Sequence, residues 1–498
     1  MSLARPILAA LVLASIVPAG RADESSVADA AERSDRPAIR ALLARGADVD
    51  RPQPDGMTAL HWAAHRDDLE LARLLVGARA DVRKSNSYGV TPLSLACENG
   101  NAAMVELLLN AGADPNARLR GGETALMTAA RTGRIGPVKA LLARGADVNA
   151  REWHQQTAIM WAAAEGHSEV VSTLIQAKAD FRTPLETGFT PLAFAAREGR
   201  IQTARVLLAA GADVNEAMQP KRRYFNRSPR PGTSPLMLAV ENGHFDLAVM
   251  LLESGADPND QRSGFTPMHA LTWVRKPSRG DGEDGDPPPT GSGKRDSLQF
   301  LADLTAHGGD VNAVLKRGRA GRGVLSRRGA TPFLLAASTA DVPMMRALLS
   351  LGADPNRPNA TRSTPLMAAA GLGCLAPGEE AGTEDEAIEA VQLAIEQGGD
   401  VNAIDENGET AMHGASYKNF PRVVRLLADR GARPEVWNHK NKYGWTPITI
   451  AEGHRVGNFK PSPETLAALH DVLAHGREPS KLGSLRPEAP SAAVATRH

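Results

Sequence analysis

Apolar residues along this 498-residue chain come in short runs at helical spacing, two runs to a unit, with polar, glycine-bearing stretches between them. In one unit Leu93, Leu95 and Ala96 mark a first run, and Val105, Leu108 and Leu109 mark a second. Residues three and four apart share a helix face, so each run predicts a short helix with one buried side. A tripeptide of the type Thr-Pro/Ala-Leu opens the first run. It starts at Thr58, Thr91, Thr124, Thr157 and Thr190, each 33 residues after the last, and returns at Ser234, Thr266, Thr331, Thr364, Thr410 and Thr446. Threonine is a good N-cap, and a proline just after it gives up only an N–H that the helix leaves unpaired. After the second run comes a phrase such as GADPNA (112–117), whose Gly112 sits where a helix end needs left-handed backbone. Its Asp and Asn begin a turn. The predicted unit is helix–turn–helix–turn.

This combination of period, cap and turn strongly resembles the ankyrin repeat, whose signature is Thr-Pro-Leu-His-x-Ala at a spacing of about 33 residues. The resemblance covers about residues 23–476, and with an export signal before DGMTALHWAA (55–64) the chain is similar to exported bacterial ankyrin proteins. It implies an all-α solenoid of about twelve units with β-turn or finger connections, starting near 25, 58, 91, 124, 157, 190, 234, 266, 331, 364, 410 and 446. Ser25 is found by counting back 23 residues from Asp48. The motif histidine is present only at His61, His269 and His413, and methionine replaces it at Met127, Met160, Met237 and Met367. In the family that histidine ties neighbouring turns, so looser junctions are expected at the methionines. Arg83, Arg182 and Glu435 stand where the turn usually has Asn.

Composition adds limits. The 57 basic and 57 acidic residues cancel, so any charge signal must be local. Aromatics are 4 %, which suits a core of Leu, Ala and Val. Cys97 and Cys374 lie in distant units and cannot meet disulfide geometry. At the N-terminus Arg5, the apolar stretch 6–17 and the small residues Gly20 and Ala22 read as a signal peptide (1–22) cleaved before Asp23. That stretch is too short to span a bilayer, and no other segment is apolar enough. The expected location is therefore periplasmic or extracellular. Residues 477–498, rich in Pro, Ser and Ala, read as a disordered tail.

Insertions of eleven residues or more break the spacing in four places. The turn from Asp213 to Ser234 and the turn from Asp310 to Thr331 each gain eleven residues. Both inserts are basic. The first carries Lys221, Arg222, Arg223, Arg227 and Arg230, with Tyr224 and Phe225 among them. The second carries Lys316, Arg317, Arg319, Arg322, Arg327 and Arg328. They are either solvated loops or a clamp for an acidic surface or anionic polymer, since arginine binds carboxylate, sulfate and phosphate in bidentate fashion. Two further insertions, 274–297 and the acidic 375–386, fall between the helices of a unit and read as flexible, solvated loops.

Catalytic patterns are poor. His61 and His65 have zinc-protease spacing, but Trp62 stands where the glutamate should be. Gly293-Lys294 is followed by Arg295, and Pro288 replaces the glycine a phosphate loop needs. No serine sits in a nucleophile elbow. No catalytic residue, cofactor or metal is expected. Cys97, Trp62, Trp161 and Phe194 fall in core register. Trp153 and His154 fall in a finger, where there is no core to fill. The resemblance implies that a protein partner meets finger tips and the open face of the first helix. By register these contacts are Tyr88, Arg120, Trp153 and His154 on fingers, with Glu186, Arg262, Arg327 and Lys442, and Arg131 and Arg197 on first helices. Trp153 is the leading contact, because exposed aromatic and arginine side chains are the usual anchors. Trp437, Tyr443 and Trp445 form either a second aromatic finger or a C-terminal cap. The expected function is a monomeric, non-catalytic scaffold that binds another protein of unknown identity. The rival is a binder of an anionic glycan or nucleic acid.

Overall fold

A computed structural model describes residues 26–221, 230–278, 287–318, 321–457 and 461–475. They fall in two compact units, 1–158 and 159–498, each taken by itself. The first holds four helix pairs: α1 (Val27–Glu32) with α2 (Arg36–Ala44), α3 (Ala59–His65) with α4 (Leu69–Gly77), α5 (Pro92–Asn99) with α6 (Ala102–Asn110), and α7 (Ala125–Thr132) with α8 (Ile135–Ala143). The second begins with α9 (Ala158–Glu165), which starts at the boundary, and α10 (Ser168–Gln176). There follow α11 (Pro191–Arg197) with α12 (Ile201–Ala209), α13 (Pro235–Glu241) with α14 (Phe245–Glu253), and α15 (Pro267–Arg275) with α16 (Ser297–Ala306). Next are α17 (Pro332–Ser338) with α18 (Val342–Ser350), α19 (Pro365–Ala369) with α20 (Glu384–Glu396), and α21 (Ala411–Lys418) with α22 (Pro421–Asp429). The single turn α23 (Pro434–Trp437) precedes α24 (Pro447–Ala451) and α25 (Pro463–His475). Among the described residues there are twelve pairs and no strand.

Local chemistry sets these bounds. Thr91 Oγ1 accepts from Ser94 N at 3.2 Å, Pro92 is the first helical residue, and Gly100 ends the helix at φ +76°. The first helix is capped by Ser26, in a reciprocal box with Asp29, one residue later than the count from Asp48 places it. That helix is one residue shorter than α3.

Within each unit the first helices of successive pairs pack in one row and the second helices in another. In the first unit Ala63, Ala96 and Ala129 are fully buried in the first-helix row, with Leu75, Leu108 and Leu141 buried in the second-helix row. Alanine lets neighbouring helices approach closely, and each buried leucine is worth about 1.5–3 kcal/mol. Turns are tied by the Asn of the Gly-Ala-Asp-x-Asn phrase. Asn259 Nδ2 donates to Gly308 O at 2.8 Å and its Oδ1 accepts from Asp310 N at 2.8 Å. Asn116, Asn215, Asn312 and Asn402 clamp the following turn in the same two-handed way. Where arginine replaces Asn only the donor half survives, as in Arg83 Nε to Gly112 O at 2.8 Å.

Several expectations change. The insertion 274–297 is not a free loop over its described part. Val274 and Arg275 belong to α15, and Arg275 pairs with buried Asp341 at 2.7 Å. Ser292 N donates to His244 Nδ1 at 2.9 Å, and Lys294 N to Asp246 Oδ2 at 2.7 Å. The acidic insertion is also docked. Its residues Glu384, Asp385 and Glu386 form the first turn of α20, where carboxylates favour the helix dipole. Buried Lys418 reaches into it, and its Nζ donates to the carbonyls of Glu380, Ala381 and Gly382 at 2.8, 2.6 and 3.2 Å. Trp437 does not sit on a finger. It is buried in α23, because Pro434 starts a helical turn there. Trp62 and Trp161 are half-buried, and only Phe194 of the three aromatics in that register is buried.

Candidate interaction surface

Two of the fingers are tight turns, each organised by one acceptor side chain. In the finger of residues 86–90, Asn86 Oδ1 accepts from the amides of Tyr88 and Val90, both at 2.9 Å, which turns Tyr88 out at the tip. In the finger of residues 152–156 the buried Glu152 takes over. Its Oε1 accepts from Gln156 N at 2.9 Å, and its Oε2 meets His154 Nδ1 at 3.0 Å. Glu152 is buried while its neighbour Trp153 is 75 % exposed. Tyr88 is 51 % exposed, and no other described large hydrophobic residue exceeds either value.

Successive tips are linked. Ser87 N donates to Asp55 O at 2.8 Å, and Trp153 N donates to Gly121 O at 3.1 Å. Between the two aromatic tips stands the exposed Arg120, whose stem lies along Gly89. A side chain on Gly122 would come within 3.1 Å of the Trp153 ring. The structure therefore brings Tyr88, Arg120, Trp153 and His154 onto three consecutive tips of the first unit. Arg131 is exposed on α7, 3.7 Å from the Glu98 carboxylate. An exposed pair at that distance is worth at most about 1 kcal/mol.

The second unit treats its arginines differently. Arg197 is half-buried, stacked on Phe189 and Phe194 at 4.9 and 5.2 Å and paired with Glu198. Arg230 lies 4.7 Å over Phe265 and 3.3 Å from Glu241, whose carboxyl burial pushes upward. Exposed Arg327 lies 6.0 Å over Trp273. Arg322 lies 4.5 Å over Trp445 and 5.8 Å over Tyr443. Arg317 is exposed. Arg222, Arg223, Tyr224, Phe225 and Arg319 lie outside the described residues. Within the second basic insert, Arg322 turns back onto the chain's own rings. The stacks of Arg230, Arg322 and Arg327 were missed because each joins residues far apart in sequence. The available signal was the placing of Phe265, Tyr443 and Trp445 in or beside fingers.

Cys97 and Cys374 are buried, and burial pushes both thiols up, that of Cys374 to about 12. His61 is buried, with Nδ1 accepting from Thr58 N at 3.2 Å and Nε2 donating to Val90 O at 3.0 Å. Among the described residues no group of three or more His, Cys, Asp or Glu side chains is placed to hold a metal, and no helix is long and apolar enough to cross a membrane.

A family model described as ankyrin repeats (3 copies) matches residues 27–119, 151–218, 176–262 and 381–459. A single ankyrin-repeat model matches residues 121–153 and 328–360. The caps, the Asn-clamped turns and these matches, which together cover more than half of the chain, agree: this chain belongs to the ankyrin-repeat family.

Proposed function

We propose that this chain is a non-catalytic scaffold that binds another protein, works in the periplasm or outside the cell, and uses the tips Tyr88, Arg120, Trp153 and His154 as its main contact. Ankyrin repeats mediate protein–protein interaction. The observation that carries the reading is Trp153, a large ring 75 % exposed at a finger tip beside Gly122. Water-exposed tryptophan costs free energy that burial against a partner recovers, and such anchors are worth about 2 kcal/mol or more in an interface. The test is affinity capture from an envelope extract of the producing organism with the wild-type chain and with the Tyr88→Ala/Trp153→Ala variant. A partner enriched by the first and lost by the second is expected. Equal recovery by both would sink the reading. Export is tested separately by the N-terminus of the natural protein, expected at Asp23.

A second reading keeps the basic inserts as a binding site for an anionic glycan or nucleic acid. It is favoured by Lys316, Arg317 and Arg328, which are exposed and pair with no described acid. Heparin or single-stranded DNA should then bind with a steep salt dependence. The variant with Arg222, Arg223, Arg317 and Arg319 changed to Ser should lose that binding.

A further inference from the structure

We infer that the cleft of Tyr443 and Trp445 is a docking site for a turn of another protein that presents an arginine between glycines, and that the chain's own residues 321–326 occupy it in cis. The inference rests on the reading of the chain as a protein-binding scaffold, but at a site that uses none of the finger tips named above.

The second basic insert leaves the array through a closed base. Leu315 N donates to Ala330 O at 3.1 Å and Gly329 N to Leu315 O at 2.8 Å. Residues 321–324 then form a tight turn closed by Val324 N to Gly321 O at 3.2 Å. Arg322 is at its apex and lies 4.5 Å over the Trp445 ring. Gly321 O accepts from Tyr443 Oη at 3.4 Å, so the cleft holds both the guanidinium and the backbone before it. Gly323 has φ +67°, and a side chain there would come within 3.3 Å of Val456 Cγ2. Both the handedness and the space ask for glycine after the arginine. Beyond the turn, a side chain on Gly373 would meet Leu325 N at 2.3 Å, and Ser326 O accepts from Asn359 Nδ2 at 2.8 Å.

The cleft therefore selects three things together: a flat cation for two rings, a carbonyl for a phenol, and a residue without a side chain after the cation. Arginine fits better than lysine because its planar head stacks. A resident segment on a short tether has an effective concentration in the millimolar range, so it excludes a weak competitor and yields to one that makes additional contacts.

The test uses the full chain and a labelled synthetic peptide of residues 321–328, followed by fluorescence anisotropy. In Arg322→Ala/Gly323→Ala the resident segment is released. This variant should bind the peptide on the order of tenfold tighter than wild type. Adding Trp445→Ala should return binding to the wild-type level, while Trp445→Phe should retain it. A peptide with alanine for its arginine should not bind. Equal binding by wild-type and released chains, or indifference to Trp445→Ala, overturns the assignment. A wild-type dimer that dissociates on Arg322→Ala also overturns it, since the segment would then serve a second copy. Trypsin gives an independent readout. Cleavage after Arg322 should be several-fold faster in Trp445→Ala than in wild type, and an unchanged rate refutes the docked turn. None of these measurements involves Trp153 or a captured protein, so either reading can fail alone.

Discussion

Tyr417 donates a 2.7 Å hydrogen bond from its phenol to Glu409 Oε1, and Asn441 Nδ2 donates to the same oxygen at 2.9 Å. All three side chains are buried. The two donors favour the carboxylate, but loss of water outweighs them, and the Glu409 carboxyl is raised to about 7. The folded chain thus holds this proton more tightly than the unfolded chain, whose glutamate has its ordinary value near 4.5. The resulting stabilisation is fully present below about pH 4.5 and is lost as pH rises through about 7. Glu409→Gln should remove a decline of about 2 kcal/mol between pH 5 and 8. Thermal unfolding at several pH values checks this, and parallel curves for the two chains would refute it.

His269 shows the opposite sign. Its Nδ1 accepts from Thr266 N at 3.3 Å and its Nε2 donates to Ala330 O at 3.2 Å. Burial lowers it to about 4, so the folded state carries it neutral. Stability that depends on the neutral ring is complete above about 6.5 and is lost as pH falls toward 4. Met127 and Met367 keep the cap contact, their Sδ accepting from Thr124 N and Thr364 N at 3.4 Å, but thioethers donate nothing. His269→Met should cost about 1 kcal/mol at pH 7. The difference should shrink by pH 4.5, as seen in the unfolding midpoints.

The two-handed Asn clamp should be worth more than its one-handed replacement. Asn259→Ala frees Gly308 O and Asp310 N together. A loss of about 1 kcal/mol is expected because water replaces part of each bond at this exposed turn. Arg83→Ala frees only Gly112 O and should cost less. Amide exchange at Asp310 should quicken several-fold in Asn259→Ala. No change there would show that the clamp is idle.

Two tryptophans should respond in opposite ways. Trp437 is 1 % exposed, and Trp437→Ala should cost about 3–5 kcal/mol as a cavity in the core. Trp153 is 75 % exposed, and Trp153→Ala should stay within about 0.5 kcal/mol of wild type. Denaturant titration separates them. A large loss at Trp153 would make it a structural residue.

Much of this was legible in the sequence because the repeat writes its own boundaries. Thr91, Pro92 and Gly100 state where α5 begins and ends, and the 33-residue step places the next helix. Tyr88 and Trp153 were legible as tips because the register leaves them no core. The inserts were legible in position but not in conformation. Their contacts join Arg322 to Trp445, Lys276 to Glu386 and Ser292 to His244, pairs that no local period connects. Trp437 takes the buried place of a cap residue rather than a finger, for a local reason. Glu435 stands where the turn has Asn, and without that clamp residue Pro434 starts a helical turn that carries the indole inward.

The stacking of Arg322 on Trp445 also bears on how the molecule comes apart. In an open array each repeat touches only its neighbours, so the last one frays at little cost and the rest follow in turn. Here the connection before α17 is fastened to the turn before α24. Unravelling past α24 must release a contact that closes a loop of more than a hundred residues. An exposed stack of this kind is worth about 0.5–1 kcal/mol, so the fastening adds a small non-local increment to the cost of fraying α24.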